Sequence, residues 1–208
     1  MIFALEGIDG SGKSSIIYEM KKIIGDRFCN KNVIFTMEPH YTKSMLSITN
    51  PLQQLYLFMA DHEQHIEEVI APHNGDIIFT DRYITSRIAY FSAHYTTAED
   101  KFWASMYSDM IHSKKEIMGI NPYYPEVNYL LNINENTLRK HLSSRYKGET
   151  ASEDEITRLM SIQDIYHQIA ISRRNEFYII EINENTSKHD TVRKILSNVQ
   201  SRIHEKEK

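Results

Sequence analysis

The sequence predicts an α/β fold: one domain of three layers, with a mainly parallel five-stranded sheet between helices. Three observations carry this. Short apolar runs of four or five residues alternate with longer segments of helical period. Those runs lack polar alternation, as strands buried on both faces do. Glycines cluster directly after the first run, where an open parallel sheet presents its ligand sites.

Ile2 to Leu5 is the first strand and Lys13 to Ile24 the helix after it. Val33 to Met37 forms the second strand, followed by a long helix over Leu52 to Ile70. Ile77 to Thr80 is the third, leading into helical stretches at about Ile84 to Phe91 and Ala98 to Ser113. Tyr129 to Ile133 and Tyr178 to Ile182 supply the last two strands. Helices over Glu135 to Ser144, Glu153 to Asn175 and Asp190 to Ile203 complete the alternation. No repeat and no linker rich in Pro, Gly or Ser divides residues 1–208, so they read as a single unit.

Composition narrows the function. The chain is 41% hydrophobic and 25% charged, which suits a globular protein and excludes a disordered one. With 24 basic and 28 acidic side chains the net charge is −4, whereas duplex nucleic-acid binders carry a surplus of Lys and Arg. No apolar run approaches the ~18 residues that span a bilayer. Met1, Ile2 and Phe3 run straight into the first strand without a basic leader, so a cytoplasmic protein without a secretory signal is expected. Cys29 is the only cysteine, which excludes an intrachain disulfide and a multi-cysteine metal site. His62 and His65 lie three apart on one helix, but two ligands without a third make a poor zinc site, and no structural metal is assigned.

The strongest motif is Gly7-Ile8-Asp9-Gly10-Ser11-Gly12-Lys13-Ser14, a full match to G-x-x-x-x-G-K-[ST] between a strand and a helix. Its glycines let successive backbone N–H groups face phosphate oxygens, and the opening helix adds its positive end. Lys13 reaches the β- and γ-phosphates, and Ser14 offers a hydroxyl to Mg²⁺. Gly7 to Ser14 with Ser15 are therefore the expected residues for binding a nucleoside triphosphate. Asp81 closes the third strand and suits Mg²⁺ or its water shell; Arg82 follows and faces the same cleft.

Beyond the loop, Glu6 and Asp9, Glu38-Pro39 and Asp81-Arg82-Tyr83 together resemble the thymidylate kinase family. So does Leu57-Phe58-Met59-Ala60-Asp61-His62 with Gln64-His65 and Glu67 to Ile70, which looks like the family's "LFxADRxQHxxxVI" helix. Ser86 with Ala89-Tyr90 matches its "DRYxxSxxAYQ". The likeness implies a P-loop kinase fold with a small lid at about 145–154, and transfer of the ATP γ-phosphoryl to deoxythymidine monophosphate. By the same likeness Asp9 contacts the sugar 3′-hydroxyl or the metal region, and Arg82 grips the acceptor phosphate. Phe58 stacks on the pyrimidine, or is core with Leu55 and Ile66. Tyr90 excludes a ribose 2′-hydroxyl, or is core like Phe58; Ser86 approaches the base, and Glu38, Pro39 and His62 line the acceptor site. The family's extra arginine comes from the loop or the lid. Gly10 and Ser11 fill the loop here, so Arg145 is expected to supply it, with Lys147 and Arg158 behind. Arg139 and Asn183 to Ser187 are placed near adenine. A homodimer through helices that include residues 52–70 is also implied, with Met59, Ile66 and Val69 as contacts or as core.

Four positions depart from the pattern. Met37 and His40 flank Glu38-Pro39 where arginine and glycine are usual, and His62 replaces the arginine after Ala-Asp. Arg87 stands where a small or amide residue is usual. Either Arg87 supplies the missing guanidinium from the opposite wall, since a fork donor suits a carbonyl, or the pocket takes a different base. Two rivals follow. A deoxynucleoside kinase must deprotonate a neutral hydroxyl, for which Glu38 is placed; a nucleotide-binding regulatory module needs no turnover. No Asn-Lys-x-Asp motif supports a GTPase.

Overall fold

Apolar runs with no wet face must pair side by side, and their pairing organises the molecule. The computed structural model describes residues 1–41, 50–94, 123–145 and 151–207. Along the chain run β1 (Ile2–Glu6), α1 (Lys13–Ile24), β2 (Arg27–Phe28), β3 (Lys31–Met37) and α2 (Pro51–His65). Then come β4 (Ile77–Asp81), α3 (Ile84–His94), β5 (Val127–Ile133), α4 (Glu135–Arg145), α5 (Glu153–Ser172), β6 (Phe177–Ile182) and α6 (Lys188–Lys206). The helix expected over Ala98 to Ser113 lies outside the described residues.

The sheet has six strands in the order β2-β3-β4-β1-β5-β6. Five are parallel, as expected; the sixth, β2, is a two-residue antiparallel addition that pairs Arg27 with Asn32 and Phe28 with Lys31. Two residues carry no period, so this hairpin left no hydrophobic signal; Cys29 and Asn30, both at positive φ, make its turn.

Strands buried on two faces send alternate side chains into different layers. Along β1, Phe3 and Leu5 join the large cluster with α1, α5 and α6 residues such as Met20, Leu159 and Val199. Ala4 joins Leu55 of α2 with Ile84 and Ile88 of α3. The register then fixes the working edge. Leu5 pairs with Asp81, and Met37 also pairs with Asp81. Glu6, Glu38 and Arg82 therefore leave the sheet at the same carboxyl edge, where such sheets bind ligands.

Capping explains the helix starts. Asn50, Ser152 and Ser187 accept backbone N–H groups of Gln53, Glu155 and Asp190 at the heads of α2, α5 and α6. The helix expected through Ile70 changes pitch: α2 ends at His65, and a π turn over Ile66–Ile70 continues it.

Candidate active site

The loop after β1 is shaped by steric necessity. Gly7 adopts φ +138°, and a Cβ there would sit 2.9 Å from the Leu131 carbonyl oxygen. Gly12 holds the left-handed conformation at the head of α1, where φ is 99°. Lys13 folds back over the loop and donates to the carbonyls of Gly7 and Ile8, both at 2.9 Å. Burial lowers its pKa to about 7, with the Arg82 guanidinium adding to the effect. A phosphate chain here would restore the ammonium its counter-charge.

Ser14 Oγ donates to Asp81 Oδ2 at 2.7 Å, bringing the two expected metal-binding oxygens together. A hydroxyl beside a carboxylate suits a hard, oxygen-preferring cation such as Mg²⁺. Arg82 follows Asp81 with φ 69°, a conformation that costs a non-glycine residue roughly 1–3 kcal/mol. Its N–H bonds the Leu5 carbonyl at 2.9 Å and its carbonyl accepts from Thr80 Oγ1 at 2.7 Å, which holds the turn. The turn aims the guanidinium across the loop. Nη2 pairs with Asp9 Oδ1 at 2.7 Å and reaches Tyr90 OH at 3.0 Å, while Nη1 donates to the Gly7 carbonyl at 3.1 Å. Tyr90 OH also donates to Asp9 Oδ2 at 3.0 Å. Burial works to raise the Asp9 pKa, but Arg82 and Lys13 bring it below its ordinary value.

A cleft of about 650 Å³ opens over these groups, lined by Asp9, Lys13, Ser14, Asp81, Arg82 and Arg145 among others. Arg145 ends α4, exposed at the cleft; residues 146–150 of the expected lid, with Lys147, lie outside the described residues, and its last positions, Glu153 and Asp154, open α5. Three lining residues had no motif to announce them. His141 donates from Nδ1 to the Gly10 carbonyl at 2.7 Å, and Ser144 and Lys188 face the same space. Helical spacing links His141 to Arg145 at i+4, the one sequence signal for it. Arg139 is engaged elsewhere, holding Glu135 and Glu153 on the surface. Lys188, one residue beyond the segment placed near adenine, does reach the cleft.

The acceptor-side residues divide. Glu38 lines the cleft but is buried, with Pro39 after it in a cis bond. Its Oε1 accepts His62 Nδ1 at 2.9 Å and His65 Nδ1 at 2.8 Å, and its Oε2 accepts Arg87 Nη2 at 2.6 Å. Burial opposes ionisation, yet Arg87 and His62 hold the carboxyl well below the usual range. Arg87 also donates to the Phe58 carbonyl and lies 3.7 Å from Asp61. Its guanidinium is therefore committed to the wall between α2 and α3 and does not line the cleft, unlike the expected substitute for a base-reading arginine. His62 is likewise buried, edge-on to Tyr83 at 5.0 Å. Phe58 is half-buried on α2 and stands outside the cleft lining. Ser86 is buried and donates to Glu6.

Comparison with known proteins identifies the family. The family model described as thymidylate kinase matches residues 5–195. A probable thymidylate kinase of Methanococcoides burtonii is 30% identical over 190 residues, covering 86% of this chain and 87% of its own. The thymidylate kinase of Thermosipho melanesiensis is 30% identical over 189 residues, covering 86% and 88%. The crystal structure of thymidylate kinase from Ehrlichia chaffeensis shares the fold, with TM-score 0.67 at 18% identity over 96% of this chain and 98% of that one. The chain belongs to the thymidylate kinase family, the ATP-dependent phosphotransferases that convert dTMP to dTDP in nucleotide biosynthesis.

Proposed function

We propose that the cleft passes the γ-phosphoryl of ATP directly to a phosphate oxygen of dTMP, with Arg82 gripping the acceptor phosphate and no protein base. The observation that carries this is the placement of Arg82. Its guanidinium is bonded to Gly7 and Asp9 of the phosphate loop itself, so a second phosphate held by it faces the first. A monophosphate with a second pKa near ~6 is already ionised at pH 7, so alignment and positive charge are what the protein must supply. Backbone amides of Gly7 to Ser15, Lys13 and Arg145 supply the charge around the donor. Ser14 and Asp81 are the residues to hold Mg²⁺, which when bound neutralises charge on the β- and γ-oxygens. Asp9 and Tyr90, already hydrogen-bonded to each other and to Arg82, fix the acceptor's sugar side.

Glu38 argues against the nucleoside-kinase alternative. A carboxylate held by Arg87, His62 and His65 has lost much of its affinity for a hydroxyl proton. Asp9 is occupied by Arg82, and Asp81 by Ser14. A coupled assay with ATP and a panel of dTMP, other deoxynucleoside monophosphates and thymidine tests the reading. Turnover of dTMP and none of thymidine is expected, and Arg82→Ala is expected to lower kcat/KM about 100-fold or more. Equal turnover of thymidine overturns it. The outward face of α2, with exposed Tyr56, suits pairing with a second copy, which sedimentation would register.

A further inference from the structure

One carboxylate close to Arg82 has no part in the transfer just described. Glu6 ends β1, is wholly buried, and among the described residues meets neutral donors. Its Oε1 accepts the Tyr83 N–H at 3.1 Å. Its Oε2 takes the Ser86 hydroxyl and lies 3.4 Å from Tyr166 OH. Tyr166 OH in turn donates to Ser86 Oγ at 2.7 Å. On the far side of these two hydroxyls stands Arg82, with Nη1 3.3 Å from Ser86 Oγ and 3.5 Å from Tyr166 OH. Donors thus run one way, from guanidinium to hydroxyls to carboxylate, joining β1, the turn after β4, α3 and α5.

The charged and titratable groups facing Glu6 are Arg82 from that turn, Lys13 from α1 and Tyr166 from α5. Neither cation touches it. Burial raises its pKa to about 7, against the Ser86 hydrogen bond and the more distant pull of Arg82 and Lys13. A dianionic phosphate arriving at Arg82 offsets the guanidinium that helps keep Glu6 ionised, and adds an anion of its own beyond the two hydroxyls. A proton on Glu6 relieves both effects. The new carboxylic acid then donates to Ser86 Oγ, and the Ser86 hydroxyl turns away.

We infer that Glu6 is a proton-linked positioning residue: capture of the acceptor phosphate by Arg82 is coupled, through Ser86 and Tyr166, to uptake of one proton from solvent by Glu6. The inference rests on Arg82 gripping the acceptor phosphate, as proposed above. No substrate bond forms or breaks in this step.

Titration calorimetry of the full chain with dTMP at pH 7, in buffers of different ionisation heat, counts the protons taken up. At that pH Glu6 is about half ionised, so Glu6→Gln is expected to take up about half a proton fewer than the native chain while still binding. Any proton gained by Lys13 or shed by the nucleotide appears in both proteins and cancels. Equal counts in two proteins that both bind dTMP overturn the inference. A native chain that binds dTMP no more weakly after Arg82→Ala overturns instead the reading beneath it. Should Glu6→Gln fail to fold, infrared difference spectra of the native chain decide. Binding is expected to add a protonated-carboxyl stretch that shifts in Tyr166→Phe, and a spectrum without that stretch overturns the proposal.

Discussion

Glu6 and Glu38 are two glutamates buried at the same edge of one sheet, one at the end of β1 and the other just after β3. Burial disfavours the charge of both, yet they end on opposite sides of the ordinary value. Glu6 rises to about 7 among a backbone N–H and two hydroxyls. Glu38, with the Arg87 guanidinium and two imidazoles in contact, falls well below the usual range. The lesson is that depth does not set the charge of a buried acid; a cation in contact does. The wall between α2 and α3 is thus locked by a permanent charge. The group behind Arg82 remains able to change its own.

The harshest test removes the cation from Glu38. Arg87→Ala leaves a buried carboxylate facing two histidines, and breaking such a pair typically costs about 3–5 kcal/mol. Urea unfolding followed by circular dichroism is expected to register that loss. The double variant Glu38→Gln with Arg87→Met removes both charges of that pair and is expected to recover part of the loss, since the buried Asp61 carboxylate still lacks the guanidinium 3.7 Å away. A single-variant loss below about 1 kcal/mol would mean that the histidines alone hold Glu38, and the contrast with Glu6 would lose its cause.

The pH dependence of stability separates the two acids by sign. The folded pKa of Glu6 lies above its ordinary 4.5, so its contribution is fully present below about 4.5 and is lost as pH rises through about 7. Glu38 is depressed, so its contribution is present above its ordinary 4.5 and is lost as pH falls below it. Glu6→Gln removes only the first of these. Relative to the native chain it is expected to gain up to about 3 kcal/mol between pH 4 and pH 8, while the loss of stability in acid remains. Parallel pH profiles for the two proteins would show that the Glu6 proton is not linked to folding.

Much of this was legible in the sequence because it rests on local rules. Continuous apolar runs named the five parallel strands, and the glycine spacing named a loop whose backbone only glycine can follow at Gly7. Ser14 and Asp81 were paired in advance by motif and strand end, and the structure sets them 2.7 Å apart. What stayed hidden depends on tertiary neighbours. Tyr166 reads as one more apolar position on α5, and nothing within that helix says its hydroxyl meets Glu6, 160 residues away in the chain. Arg87 could be noticed as odd, but whether its fork faces the cleft or the wall depends on α2 crossing beside α3. His141 reaches the loop tip only because α4 packs over Gly10, where Leu138 would crowd any added Cβ at 2.8 Å.

The mildest intervention tests the neutral side of the contrast. Tyr166→Phe deletes one hydroxyl and keeps the ring, with its edge contact to Tyr90 at 6.4 Å. Glu6 retains the Ser86 hydroxyl and the Tyr83 N–H, and Arg82 retains Gly7, Asp9 and Tyr90, so no charge is orphaned. Loss of one neutral hydrogen bond without an orphaned charge costs about 1 kcal/mol. That is the expected destabilisation at pH 8, where Glu6 is mostly ionised and accepts most strongly; at pH 5 the protonated acid needs fewer donors, and the cost is expected to shrink. Thermal unfolding at the two pH values measures it. A loss as large as that of Arg87→Ala would show neutral hydroxyls holding Glu6 as firmly as a guanidinium holds Glu38. Contact with a cation would then no longer be what divides the two acids, and the ability of Glu6 to change its charge would need another cause.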